Sequence, residues 1–208
     1  MPPGSLIVED LVVERGPFRL GPISLRVDSG TALYLRGANG AGKSTLLAAI
    51  AGLVPLRQGR VRLGDRTLSS AETFVAPHAR GIAVLLQDLG LWPHLTVRRQ
   101  ALLVAEAELA ARALARLDEL AAALGVAHLL DRKPQALSGG EAQRCALVRS
   151  LMRRDAALLL DEPCARQNAD GARRVDAVIR SELARGAVVL VAGHLAPPGA
   201  REYELPSV

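Results

Sequence analysis

The sequence predicts an α/β fold with a parallel sheet at its centre, and three observations carry that prediction. Continuous apolar runs of strand length at 82–86, 156–160 and 187–191 read as strands buried on both faces, as parallel sheets require. A glycine-rich stretch, Gly37-Ala38-Asn39-Gly40-Ala41-Gly42-Lys43-Ser44-Thr45, stands between an apolar run at 32–35 and a helix-like run at 46–51. Its pattern, G-x-x-x-x-G-K-S in a strand–loop–helix setting, is that of a phosphate site. Beyond Pro93, Leu114, Leu117, Leu120, Ala121 and Leu124 recur at helical spacing, with Gly125 placed as a C-cap.

Taken in order, the first thirty residues alternate apolar runs with turn signals. Residues 6–8 and 11–13 are followed by Gly16-Pro17 and Gly21-Pro22, read as turns, and then by Ile23, Leu25 and Val27 in alternation. This predicts antiparallel strands half-exposed on one face. The helix after the glycine-rich loop ends near Gly52. Val61 and Leu63 precede a hairpin turn at Gly64-Asp65. The run at 82–86 predicts a central parallel strand. Ser138 and Glu141 are spaced as a capping box opening a helix that runs through Met152, and an arginine-rich helix covers 171–183.

At 208 residues the chain suffices for one well-buried core and is too short for two full domains. With aromatics at 2%, that core must be built from Leu, Val, Ile and Ala. The net charge of +5 comes from arginines scattered with no run longer than two, which read as a solvated face rather than a nucleic-acid footprint. The only lysines are Lys43 and Lys133. A chain that favours arginine this strongly still places lysine in the glycine-rich loop, where a compact ammonium fits and a planar fork does not. Cys145 and Cys164 have no ligand or redox spacing and read as small, partly buried apolar residues in a reducing compartment. No run approaches the roughly 18 apolar residues of a membrane span, and no signal-peptide pattern opens the chain. We therefore expect a soluble, cytoplasmic protein that reaches any membrane through a partner.

The chemistry-bearing residues follow the same order. In the loop, backbone N–H groups converge on anionic oxygens at a helix N-terminus. Gly37, Asn39, Gly40, Ala41, Gly42, Lys43, Ser44 and Thr45 are the nucleotide-binding candidates; Lys43 would neutralise terminal phosphates and Ser44 would reach Mg²⁺. Gln87, just after the run at 82–86, could reach the metal or a water. Leu137-Ser138-Gly139-Gly140-Glu141 opens a second helix N-terminus, a second anion site. Asp161-Glu162-Pro163 follows an apolar strand, where open α/β sheets place their ligands. Asp161 would hold Mg²⁺ through its water shell, and Glu162 would orient an attacking water. His194 ends the third apolar run and could contact a γ-phosphate, whereas His78, His94 and His128 read as surface or packing residues.

In this constellation the sequence resembles the ATP-binding-cassette (ABC) ATPases over essentially its whole length. Residues 37–45 match the Walker A loop, Gln87 the Q-loop, 137–141 the LSGGQ signature with Glu for Gln, Asp161-Glu162 the Walker B pair and His194 the switch histidine. The resemblance implies a RecA-like P-loop NTPase core with an N-terminal antiparallel β subdomain and an inserted α-helical subdomain. These form one domain over 1–208, the insert covering about 95–144 and the remainder 1–94 and 145–208. It further implies ATP and Mg²⁺ as cofactors, with Ser44, Gln87 and Asp161 at the metal. A second cassette, identical or not, would pack head to tail, so that Ser138, Gly139, Gly140 and Glu141 face the nucleotide of the other subunit. The insert would dock a separate permease at the inner face of the membrane, with the Gln87 loop linking that dock to the nucleotide.

Two positions depart from the family pattern. Where the family reads close to T-S-A-L-D, this chain has Cys164-Ala165-Arg166-Gln167-Asn168, a D-loop without its serine or aspartate. Where an aromatic stacks on adenine, it has Arg15, with Phe18 nearby as the other candidate. The chain ends soon after His194, so we expect no C-terminal regulatory domain. The expected function is the ATP-hydrolysing subunit of a membrane transporter. A soluble non-transport ABC ATPase and a low-turnover regulatory cassette are the alternatives. Trp92 reads equally as a small satellite core and as a permease dock. Cargo is not readable, because specificity would lie in the permease.

Overall fold

The computed structural model describes residues 4–105, 110–193 and 200–205. They fall into two compact units, the first within 1–86, 155–162 and 182–208, the second within 87–154 and 163–181.

The first unit holds two sheets. The antiparallel sheet contains β1 (Leu6–Arg15), β2 (Phe18–Val27), β4 (Gln58–Leu63) and β5 (Arg66–Ser69), in the order β2-β1-β4-β5. The parallel sheet contains β3 (Ala32–Arg36), β6 (Ile82–Leu85), β7 (Ala157–Asp161), β8 (Val188–Ala192) and β9 (Arg201–Glu204), in the order β6-β7-β8-β3-β9. Helix α1 (Lys43–Ala51) follows β3. One aliphatic core joins them: Leu6, Leu20 and Ile23 from the antiparallel sheet, Leu46 and Ile50 from α1, and Leu159 and Leu190 from the parallel sheet are all fully buried. The scarcity of aromatics shows here, since Phe18 and Tyr203 only border that core.

Residues 6–8 and 11–13 belong to one strand, in which a bulge at Asp10 (φ 46°) carries the chain on with its register shifted. Two expectations are corrected in this unit. Gly21-Pro22 is no turn but lies inside β2, with Gly21 at φ 106° packed against the Leu11 carbonyl. Proline is tolerated there because β2 is an edge strand, where no neighbour needs its missing N–H. Among the described residues the run at 82–86 is an edge strand, pairing with β7, rather than a central one. An apolar run reports that both faces of a strand are covered and says nothing about lateral neighbours. The Gly64-Asp65 turn between β4 and β5 is as expected.

The second unit contains α2 (Val97–Val104), α3 (Ala110–Ala123), α4 (Gly139–Leu151) and most of α5 (Ala169–Ala184). Leu117, Leu120 and Ala121 of α3 are buried, and Gly125 ends the helix in the left-handed region. There the N–H of Gly125 donates to Ala122 and that of Val126 to Ala121, the paired bonds of a Schellman cap. Leu114 is 43% exposed instead of buried, and Ala113 and Arg116 take the inner places. Both Ala113 and Leu114 stand one turn before Leu117, and the buried stripe runs through the former. Cys145 is buried, and burial pushes its thiol up to about 12. Cys164 is exposed in the segment before α5, contrary to its expected partial burial. Among the described residues no helix is long and apolar enough to cross a membrane.

Candidate functional site

The phosphate-loop candidates lie between β3, buried from Ala32 to Leu35, and α1, anchored by the fully buried Leu46, Leu47 and Ile50. Gly42 is the N-cap at φ 92° and offers no side-chain hydrogen bond to the helix, whose first turn holds no acid. Neither the cap residue nor an acid of the first turn therefore meets the amides of this end. A Cβ on Gly42 would stand 2.9 Å from Leu20 Cδ1 and 3.0 Å from Phe18 Cζ, so only glycine fits the close approach of loop and β2. Lys43 Nζ donates to the carbonyls of Gly37 at 2.7 Å and Ala38 at 2.9 Å, which holds the ammonium against the loop. Asn39, Gly40 and Ser44 are exposed, Ala41 is buried, and Gly37 and Thr45 are half-buried.

The acidic pair meets this loop through strand register. Ala192 of β8 is the partner of both Leu35 in β3 and Asp161 in β7, so three parallel strands end side by side. Asp161 is 3% exposed and its carboxylate is hydrogen-bonded to the side chain of Ser44. Burial holds this carboxyl above its ordinary range, with the Ser44 bond and Lys43 opposing and Glu162 adding to the rise. Asp161 Oδ2 is buried with no hydrogen-bond partner. A hard-oxygen pair, hydroxyl and carboxylate, with one buried oxygen still unsatisfied fits the ligand preferences of Mg²⁺. Glu162 leaves the strand at φ 50°, unusual for a non-glycine residue, and its N–H donates to Ala192 at 2.7 Å. His194, two residues beyond β8, lies outside the described residues.

Of the two adenine-stacking candidates, Arg15 is exposed, while half-buried Phe18 packs beside Leu20 against the loop. They are paired across the β1–β2 hairpin. Tyr34 was not singled out from sequence. It is 5% exposed in β3, and its hydroxyl donates to the carbonyl of Gly193, the residue before His194. A polar-tipped aromatic within an apolar strand was the available signal.

The remaining candidates belong to the second unit. Gln87 is exposed in a bend. Ser138 caps α4, its Oγ accepting from the Glu141 N–H at 3.4 Å, while Glu141 Oε2 accepts from the Ser138 N–H at 2.8 Å. The bonds the carboxylate accepts, from the Ser138 N–H first and then from the Ser138 hydroxyl at 2.8 Å, hold the Glu141 carboxyl below its ordinary range. Asn168 Oδ1 accepts from the Gly171 N–H at 2.8 Å, a capping bond on α5. Trp92, 39% exposed, lies 5.5 Å beneath the Arg149 guanidinium, and Arg149 also donates to the Leu89 carbonyl at 2.8 Å. Arg144 and Gln167, whose contact links α4 to the segment before α5, were likewise not singled out for that pairing.

Comparison with known proteins follows the same lines. A family model described as "ABC transporter" matches residues 20–165. The chain is 38% identical over 165 residues to the sulfoquinovosyl glycerol transport ATP-binding protein of Agrobacterium fabrum, covering 78% of this chain and 44% of that protein. It is 41% identical over 141 residues to the thiamine import ATP-binding protein of Histophilus somni, covering 67% and 64% respectively. The chain thus spans less than two thirds of the length of these relatives. A solved ATP-binding subunit of an ABC transporter superposes with a TM-score of 0.81 at 26% identity, covering 91% of this chain and 79% of that one. The chain belongs to the ABC transporter family, and its α/β architecture is the P-loop NTPase fold of that family's ATP-binding cassettes.

Proposed function

We propose that the chain binds ATP with Mg²⁺ and hydrolyses it as the motor subunit of a membrane transporter whose permease is a separate chain. The observation that carries this reading is the hydrogen bond between Ser44, in the first turn of α1, and buried Asp161, which retains one unsatisfied oxygen. Lys43 and the loop amides neutralise and orient the β- and γ-phosphates. Ser44 and Asp161, with Gln87, hold the metal, which supplies charge neutralisation on the phosphate oxygens. Glu162 accepts the proton of the attacking water, and His194 contacts the γ-phosphate. A second cassette packs head to tail, presenting its Ser138, Gly139, Gly140 and Glu141 to this nucleotide. Residues 95–144 form the helical subdomain that meets the permease, with 1–94 and 145–208 as the remainder, and the subunit sits at the inner face of the membrane. Nucleic acid is not a partner. The relatives named above carry transport or import in their names but differ in cargo, so no cargo is assigned.

The test is Glu162→Gln. An amide cannot accept the water's proton, so this variant retains ATP binding, loses turnover and accumulates as a dimer in ATP and Mg²⁺ on size-exclusion chromatography. Wild-type hydrolysis by the variant would remove Glu162 from its role. A second reading, a low-turnover regulatory cassette, is favoured by the D-loop, where Asn168 is engaged in capping α5. Steady-state turnover of the wild-type chain separates the two.

A further inference from the structure

Gln167 sits 23 residues from Arg144 in sequence, yet its amide is used on both sides. Its Oε1 accepts from Arg144 Nη1, and its Nε2 donates to the Gly140 carbonyl at 3.0 Å and to Gln143 Oε1 at 2.9 Å. All three partners lie on the first turns of α4. The fit is tight on the backbone side as well. A Cβ on Gly140 would stand 2.5 Å from the Arg166 carbonyl oxygen, and one on Gly171 would meet Gln167 Oε1 at 2.5 Å and Arg144 Nη1 at 2.9 Å. Two glycines therefore let the segment 164–168 press against α4 and the start of α5, and one amide bridges the gap.

The chemistry of that bridge is specific to an amide. Its acceptor meets a cation and its donors meet two carbonyl oxygens, so neither carboxylate nor aliphatic side chain satisfies both. Arg144 Nε is buried without a partner, so the amide oxygen is the acceptor this guanidinium turns to. Among the described residues, these side-chain bonds tie the segment to α4.

We propose that Gln167 is a positioning residue that locks the D-loop segment 164–168 onto the signature end of α4, so that both move as one piece toward the partner cassette's nucleotide. The proposal rests on the ATPase reading for its kinetic consequence, but the lock itself is a property of the free chain. Gln167→Leu removes all three bonds. Gln167→Glu keeps an acceptor for Arg144 and sets a carboxylate against the Gly140 and Gln143 oxygens. Gln167 is only half-buried in a loop, so both variants are compatible with folding.

Two measurements on the full-length chain test this. In hydrogen–deuterium exchange without nucleotide, Gln167→Leu speeds exchange at 139–143 and 165–168 and leaves 43–51 unchanged. In steady-state assays both variants lower kcat roughly tenfold, as lost hydrogen bonds felt at the transition state do, with ATP affinity unchanged. Unchanged exchange in Gln167→Leu overturns the lock. Faster exchange with unaltered kcat, or a loss confined to ATP affinity, overturns the positioning role. Absent turnover in the wild-type chain would defeat the ATPase reading and the kinetic half of this proposal, while exchange still decides the lock.

Discussion

The N-termini of α1 and α4 put the same physical device, unpaired amides at the positive end of a helix, to opposite local uses. At α1 the cap is a glycine with no side chain to offer, no acid stands in the first turn, and a lysine opens the helix. At α4 the chain supplies its own anion: Ser138 and Glu141 close a reciprocal capping box, and the carboxylate of Glu141 rests at the helix end. A helix start is therefore not an anion site by virtue of its amides alone. What matters is whether the chain has already satisfied them. At α1 the cap residue and first turn supply no such partner; at α4 the box takes the amides of Ser138 and Glu141 and leaves those of Gly139 and Gly140 outside it.

Closing the open end is the harshest way to break this contrast. Gly42→Ala places a Cβ at φ 92°, within 3.0 Å of both Leu20 and Phe18 side-chain carbons. The left-handed conformation alone costs an L-residue roughly 1–2 kcal/mol, and the crowding adds to it. ATP affinity is expected to fall by more than about tenfold. Equilibrium binding of a fluorescent nucleotide to the folded variant measures this. Affinity at the wild-type level would mean that the α1 terminus does not hold the phosphates.

The contrast also marks what could be read in advance. The glycine-rich loop, the capping box of Ser138 and Glu141, and the Gly125 cap were legible because each is specified within a few neighbouring residues. The sheet and helix identities were legible from apolar spacing. What escaped depends on partners remote in sequence. The 82–86 run reads as apolar whether it lies central or at the edge, and the Asp10 bulge is defined by its register against β2 and β4. Leu114 and Ala113 are interchangeable under helical spacing until the packed face is known. The carbonyl that receives the Tyr34 hydroxyl is 159 residues away, and no local pattern announces it.

A gentler intervention addresses the closed end through the segment beside it. Ala165→Ser with Asn168→Asp restores the family pattern of the D-loop. Asn168 already caps α5, and aspartate caps as well as asparagine, so α5 is retained while a charge and a hydroxyl are added. If the altered loop limits the transition state by one charged hydrogen bond, about 1.5–3 kcal/mol, turnover rises by ten- to a hundredfold with ATP affinity unchanged. Steady-state ATPase of both forms, with binding measured separately, decides it. An unchanged or lower rate means that hydrolysis is limited elsewhere.

The smallest expected effect comes from removing the charge that closes α4. Glu141→Gln keeps an oxygen able to accept the Ser138 N–H, so the box survives, but the carboxylate is gone. Two consequences have opposite signs. Folding loses the charge-assisted hydrogen bonds, from the Ser138 N–H first and then its hydroxyl, that hold the wild-type carboxyl below its ordinary range. Because the folded value lies below the ordinary one, that contribution is present above the ordinary value and disappears as pH falls through the folded one. The variant's stability should therefore sit slightly below wild type near neutral pH and converge with it in acid. Dimerisation around ATP responds the other way, since a carboxylate facing a γ-phosphate is a like-charge contact. In the Glu162→Gln background, Glu141→Gln should strengthen the ATP-bound dimer severalfold at low salt. The gain should shrink as salt is raised, because salt screens a like-charge contact that solvent ions reach. Analytical ultracentrifugation across a salt series reads both the gain and its screening. A weaker dimer, or one indifferent to salt, would show that Glu141 does not face the partner's phosphate and that the box of α4 serves the helix alone.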